Sequence, residues 1–308
     1  MSRVWTAVTL GLVLILVAVT PAAADSDNDD SKFGAWSTPI NLGATINSEA
    51  GEFGPALSPD GNSLYFGSNR TGGSGLADLW VAQRANKNAP WQAPVNLGPT
   101  VNSPAMDNVP SFSRDGHWMF FVSNRIGGLG GNDIWVSFRA NPNDDFAWET
   151  PTNLGAPINS AFFDAGPALV EHGNQEILYF NSDRPGTGVQ GSHEFYASVR
   201  QKDGTFGTPM LVAELNSPSS EQRLTIRKDA REAFFFSDRP GSAATDLWTS
   251  TRDDRDAAWG RPIRLSINSA GTDAQPTLSR DGRTLVFASD RGALGNLDLY
   301  ISTRTKGD

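Results

Sequence analysis

Short apolar runs alternate along the chain with clusters of Gly, Pro, Asn, Asp and Ser, and no apolar stripe at helical spacing survives between them. The densest runs are Leu64-Tyr65-Phe66, Met119-Phe120-Phe121-Val122, Ile177-Leu178-Tyr179-Phe180, Phe234-Phe235-Phe236 and Leu285-Val286-Phe287. They are apolar at successive positions, as expected of a strand held between two neighbouring sheets. Each follows a turn: Ser-Pro-Asp60-Gly61, Ser-Arg-Asp115-Gly116, Glu-His172-Gly173, Lys-Asp229-Ala230 or Ser-Arg-Asp281-Gly282. Asp-Gly between apolar runs signals a hairpin, because glycine supplies the positive φ that a tight turn needs.

These runs belong to a repeat. Five segments open alike, at Trp36-x-x-Pro39, Trp91-x-x-Pro94, Trp148-x-x-Pro151, Phe206-x-x-Pro209 and Trp259-x-x-Pro262, spaced by 55, 57, 58 and 53 residues. An Asn-Ser pair follows in each (Asn47, Asn102, Asn159, Asn216, Asn268), and every dense run ends in Ser-x-Arg. After a glycine-rich loop the unit closes with acid-apolar-aromatic: Asp78-Leu-Trp80, Asp133-Ile-Trp135, Glu194-Phe-Tyr196, Asp246-Leu-Trp248 and Asp298-Leu-Tyr300. Four short strands per unit, repeated radially, shelter the edges of an all-β chain. The fold class expected is all-β: a five-bladed β-propeller of four-stranded antiparallel blades. The unit begins one strand out of step with a blade, so Trp36 to Leu42 should complete the last sheet and close the ring.

The Ser-Pro-Asp-Gly turn, Phe-x-Ser-x-Arg, glycine-rich loop and Asp-Leu-Trp together resemble the WD40-like β-propeller repeat called PD40, over Trp36 to Arg304. The resemblance includes the propeller of the TolB translocation protein, a periplasmic partner-binding module, and envelope proteins that carry peptidoglycan-binding domains. TolB-type propellers have six blades and an N-terminal α/β domain, whereas this chain shows five units and no second domain.

The N-terminus changes the expected address. Arg3, the apolar run Ala7 to Val19 and Ala22-Ala23-Ala24 follow the grammar of a secretory signal peptide, residues 1–24, cleaved ahead of Asp25. Residues 25–35 read as an acidic, disordered lead-in, and 36–308 as one propeller domain. The chain has no cysteine, hence no lipid-attachment site and no disulfide, and its stability must come from a large core. A periplasmic or secreted monomer is expected, with no membrane insertion after cleavage. The formal net charge of −9 argues against nucleic acid as a partner.

Chemistry is expected where the loop entering the inner strand meets the loop between the second and third strands. There the repeat places the acids Glu52, Asp107, Asp164, Glu221 and Asp273, the arginines Arg70, Arg125, Arg184, Arg239 and Arg291, and the closing acids Asp78, Asp133, Glu194, Asp246 and Asp298. Five copies of one pair suggest structural brackets, since Arg and carboxylate pair bidentately. His193 lies near that face, while His117 and His172 belong to turns on the opposite one. No histidine pair has ligand spacing, so no metal or cofactor is expected. The loop Gly127 to Asp133 has off-register calcium-loop spacing, and no serine stands in a nucleophile elbow. The repeated tryptophans read as packing, with Trp118 outside the pattern. The leading expectation is a non-enzymatic binding or scaffold module for a cell-envelope or extracellular protein or glycan. The alternative is a glycoside hydrolase-like enzyme with the inner-strand acids Glu52, Asp107, Asp164, Glu221 and Asp273 as acid and base.

Overall fold

The computed structural model describes residues 33–172, 175–186, 188 and 190–307. The expected signal peptide and most of the lead-in fall outside them. Twenty strands form five antiparallel sheets of four. Blade one runs from its inner strand Glu52–Leu57 through Ser63–Ser68 and Asp78–Gln83 to the outer strand Val95–Asn96. The inner strands of the next blades are Asp107–Phe112, Asp164–His172 and Glu221–Ile226. Blade five consists of Asp273–Leu278, Thr284–Ser289 and Asp298–Thr303, and its outer strand is Ile40–Asn41 from the other end of the chain. Ile40 pairs with Ile301 and Asn41 with Tyr300. The ring is closed by hydrogen bonds, as its phase requires.

The second strands are the core. Every position of Ser63–Ser68 and Glu232–Ser237 is buried, since each of these strands is covered on both faces by adjoining blades. Blades are also joined through their backbones. The residue ahead of each closing acid meets the strand-entry residue of the next blade, as in the parallel bridges Ala77–Met106, Asn132–Phe163 and His193–Ser220.

The two ends of the ring are built differently. At the end carrying the Asp-Gly turns, Arg84, Arg139, Arg252 and Arg304 stack on Trp91, Trp148, Trp259 and Trp36 at 4.1, 4.3, 4.2 and 4.4 Å. Each also donates its Nε to a carbonyl of the turn, those of Gly61, Gly116, Ala230 and Gly282. The Trp-x-x-Pro tryptophan is thus half of a cation–π clamp. Blade three has Phe206 at that position, and its Arg200 pairs instead with Glu176 at 2.7 Å.

Around the axis, the third residue of every inner strand sits on a bulge with positive φ: Gly54 (56°), Val109 (54°), Gly166 (61°), Arg223 (51°) and Gln275 (55°). Glycine suits this at blade one, where a Cβ on Gly54 would lie 2.9 Å from Val109 Cα. For Val109, Arg223 and Gln275 the conformation is strained. The inner backbones therefore approach closely and give the central channel a narrow waist.

Candidate functional site on the loop face

At the opposite end, the structure brings the repeated acids and arginines together but sinks them below the surface. Glu52, Asp107, Asp164, Glu221 and Asp273 are all fully buried. Arg70, Arg125, Arg184 and Arg239 reach them at 2.9, 2.5, 2.5 and 2.9 Å, and Arg291 pairs with Asp273. The Asn-Ser pair explains itself here. Ser48, Ser103, Ser160, Ser217 and Ser269 donate backbone N–H groups to the same carboxylates. Asn102 meanwhile exchanges two hydrogen bonds with the Leu79 backbone of the preceding blade. Each guanidinium also lies between two rings, Arg125 for example at 5.2 Å from Phe121 and 5.0 Å from Trp135. Burial pushes the Glu221 carboxyl up, against hydrogen bonds from Ser217 and the Arg239 charge that pull it down.

The repeated pairs are brackets, and the use of the five inner-strand acids as acid and base in the enzyme alternative is corrected. Each is occupied within its own blade, so none reaches solvent to act as acid or base. The closing acids have a second job. Asp78 accepts from the backbone N–H of Ser74 (2.6 Å) and Gly75 (2.9 Å), and from Asn96 Nδ2 (2.8 Å). Asp133, Glu194, Asp246 and Asp298 likewise clasp the glycine-rich loops before them. In the loop Gly127 to Asp133 the carboxylate holds backbone N–H groups, and among the described residues no three His, Cys, Asp or Glu side chains could hold a metal ion.

The residues the repeat reading passed over are those that vary. The middle residue of Ser-x-Arg is Asn69, Asn124, Asp183, Asp238 and Asp290 in successive blades, and all five are exposed. Each lends its Oδ1 to the N–H just ahead of the strand-entry acid, Asp183 to Phe163 (2.7 Å), Asp238 to Ser220 (2.8 Å) and Asp290 to Thr272 (2.9 Å). One carboxylate oxygen is used in fixing the side chain, and the group stays at the surface. Blades three, four and five therefore present three ionisable carboxylates at one level of the loop face, while blades one and two present amides.

His193 stands between two of them. Its ring packs edge-on against Phe163 at 5.0 Å, and its Nδ1 lies 3.2 Å from Ser220 Oγ. Burial lowers its pKa below the usual imidazole value, opposed by the Asp183 and Asp238 charges that raise it. Burial wins, so the ring is neutral at pH 7 and available as an acceptor or a donor. A base depressed in the folded state costs stability as pH falls below its unfolded value of about 6.5. The expected result is that His193→Gln melts at the same temperature as the parent above pH 7 and resists acid better below pH 6. Identical acid profiles for the two proteins would show that His193 is not held neutral.

Of the other singled-out residues, His117 donates from Nδ1 to Arg139 O (2.8 Å) on the turn face. Nothing is described of the His172 side chain. Trp118 is half-buried, tilted against Phe138 at 4.8 Å, beside a cavity of about 280 Å³ that also meets Arg200 and Phe206. Two further cavities lie on the turn face. One of about 170 Å³ occupies the channel mouth, rimmed by Arg114, Lys228 and Arg280 with the single carboxylate Glu171, and one of about 630 Å³ lies between blades five and one. Their linings are rich in cations. Exposed carboxylates also stand on the turn face, at Asp60, Asp115 and Asp281, but there each sits beside the cation-rich linings.

No family model matches the chain, and no curated protein does. Solved structures do. The catalytic domain of a GH62 α-L-arabinofuranosidase from Coprinopsis cinerea is 12% identical, with TM-score 0.59 over 88% of this chain and 97% of that one. An α-L-arabinofuranosidase from Podospora anserina, solved with cellotriose, is 12% identical, with TM-score 0.56 over 90% and 96%. An endo-arabinase from Bacteroides thetaiotaomicron is 14% identical, with TM-score 0.56 over 88% and 99%. At these identities the likeness is one of fold. It nevertheless corrects the leading expectation of a non-enzymatic binding or scaffold module, because the similar solved structures are mostly glycoside hydrolases that match nearly end to end.

Proposed function

We propose that the protein is a glycoside hydrolase-like enzyme that acts on a neutral polysaccharide from its loop face. The observation that carries this reading is the set of exposed, backbone-fixed carboxylates Asp183, Asp238 and Asp290 on consecutive blades, with neutral His193 between the first two. Cleaving a glycosidic bond needs one carboxyl group to protonate the leaving oxygen and another to act on the opposite side of the sugar. Carboxylates on different blades approach a bound sugar from different directions, which five identical brackets within their own blades cannot do. Phe162, 43% exposed and one residue from the Asp183 anchor, offers an apolar surface to a sugar ring. The arabinofuranosyl linkages cleaved by proteins of this fold are the first substrates to test. The PD40-type repeat is the scaffold in this reading, and a signal peptide would deliver it to the periplasm or medium, where polysaccharide is met.

The test is release of reducing sugar from debranched arabinan, arabinoxylan and xylan by the parent and by Asp183→Asn, Asp238→Asn and Asp290→Asn. Loss of a general acid or base costs about 10²–10⁴ in rate, so two of the three variants should fall at least 100-fold in kcat with unchanged melting. A parent inert on the whole panel, or three variants as active as it is, would defeat the proposal.

A further inference from the structure

The waist of the channel contains a charge that the proposed chemistry does not use. Arg223 occupies the bulge of the blade-four inner strand, is 4% exposed, and adopts φ of 51° with its N–H held by Asn181 Oδ1 at 3.2 Å. Its Nη2 donates to two carbonyls across the channel, Pro55 O at 2.7 Å and Pro110 O at 3.0 Å. Those belong to blades one and two, which face blade four in a five-membered ring, so the side chain spans the pore. Its Nη1 meets no hydrogen-bond partner, and no carboxylate pairs with the guanidinium among the described residues. The other arginines at this end of the ring, Arg70 to Arg291, each have a carboxylate. Gln275, on the equivalent bulge of blade five, spends its Oε1 on Gly54 N at 2.7 Å, which leaves its amide NH2 as a donor at the same level.

Burying a cation without a counter-charge is costly, and water satisfies hydrogen bonds without neutralising charge. Desolvation lowers the Arg223 pKa to about 9, so the group remains cationic at neutral pH and its burial penalty persists. From these contacts we infer that the waist is a binding site for one small monovalent anion, of the chloride or bromide class, held by Arg223 Nη1. One unpartnered guanidinium nitrogen, with the Gln275 amide at its level, offers donors for a single small anion and not for the several oxygens of a phosphate ester or a sugar acid. The anion offsets the charge of the side chain whose Nη2 ties blade four to blades one and two, and so links the cohesion of the ring to halide concentration.

Bromide is the probe, because it scatters anomalously and replaces chloride. Crystals grown in sodium bromide should show an anomalous peak beside Arg223 Nη1. In solution, melting temperature should rise by several degrees between 5 and 300 mM bromide at ionic strength held constant with gluconate. Arg223→Met should abolish that dependence, and Arg223→Lys should keep part of it. A parent without the peak, or with the same melting temperature in bromide and gluconate, would overturn the inference. If Arg223→Met does not fold, the peak and the parent melts decide alone. The readouts are structural and thermal, so they stand or fall apart from any glycosidase activity.

Discussion

A chain that begins at Gly43 is expected to lose its stable folded monomer. The residues removed supply the outer strand of blade five, pairing with Tyr300 and Ile301. Asn41 Nδ2 donates to Asp298 at 2.8 Å, and Ser302 Oγ donates to Ser37 O at 2.7 Å. Trp36 lies between the Arg304 guanidinium at 4.4 Å and the Phe234 ring of blade four at 5.8 Å. Truncating a packed Trp alone costs about 3–5 kcal/mol. With the lost ladder and clamp the total reaches about 5 kcal/mol or more, a large part of the stability of an ordinary domain. At roughly 2–4 °C per kcal/mol, melting should fall by about 10–20 °C. The strand Asp298–Thr303 would also become an open edge, which invites pairing with other copies. Circular dichroism melts and size-exclusion chromatography read both effects. A truncated protein that remains monomeric and melts within a few degrees of the parent would show that packing between blades, and not the closing strand, holds the ring.

What the sequence made legible is what repeats. Strand order, ring closure, the doubly covered second strand and the Arg–acid brackets each recur at fixed offsets, because every blade solves the same packing problem. The repeat also made the brackets look like a site, since it lists residue types without their depth. The arginine clamps escaped for a simpler reason. Arg84, Arg139, Arg252 and Arg304 recur just as faithfully, but their partners are the tryptophans of the next strand, and only the fold shows a ring beneath each guanidinium. Asp183, Asp238, Asp290 and Arg223 escaped because they break the repeat, while His193, which breaks it too, was legible as the one histidine near that face. Their counterparts in other blades are Asn69, Asn124, Ala77, Asn132 and Gly54 among others. In a symmetric scaffold, chemistry that needs unlike groups can sit only where symmetry fails. The variable positions between invariant ones were therefore the sequence signal available, and Asp at three of the five Ser-x-Arg sites was its clearest form.

The same logic identifies a single residue whose loss should be severe. Asp145 is 4% exposed and comes from the loop ahead of Trp148, at a position with no fixed identity in the other blades. It reaches from blade two into blade one, accepting from Ser63 Oγ at 2.5 Å, Tyr65 Oη at 2.6 Å and Gln83 Nε2 at 2.8 Å. It also balances Arg139, fully buried, at 2.9 Å. Burial, and then the Asp145 charge, raise the Tyr65 phenol well above its usual value, so Tyr65 remains a hydrogen-bond donor to the carboxylate at any physiological pH. Asp145→Ala removes the only carboxylate paired with Arg139 among the described residues and strands three further donors. Breaking a buried pair from one side costs about 3–5 kcal/mol, which is about 10 °C in melting temperature for a chain of this size. Asp145→Asn keeps the volume and one acceptor, and should fall between the two. Replacing both charges, as Arg139→Met with Asp145→Leu, removes the desolvation penalty together with the attraction. The double variant should therefore be more stable than Asp145→Ala, although it has lost more polar contacts. Urea melts of the four proteins form the comparison. A cost below about 1 kcal/mol for Asp145→Ala would mean that water reaches Arg139 and that the network is decoration on an interface held by its aromatic rings.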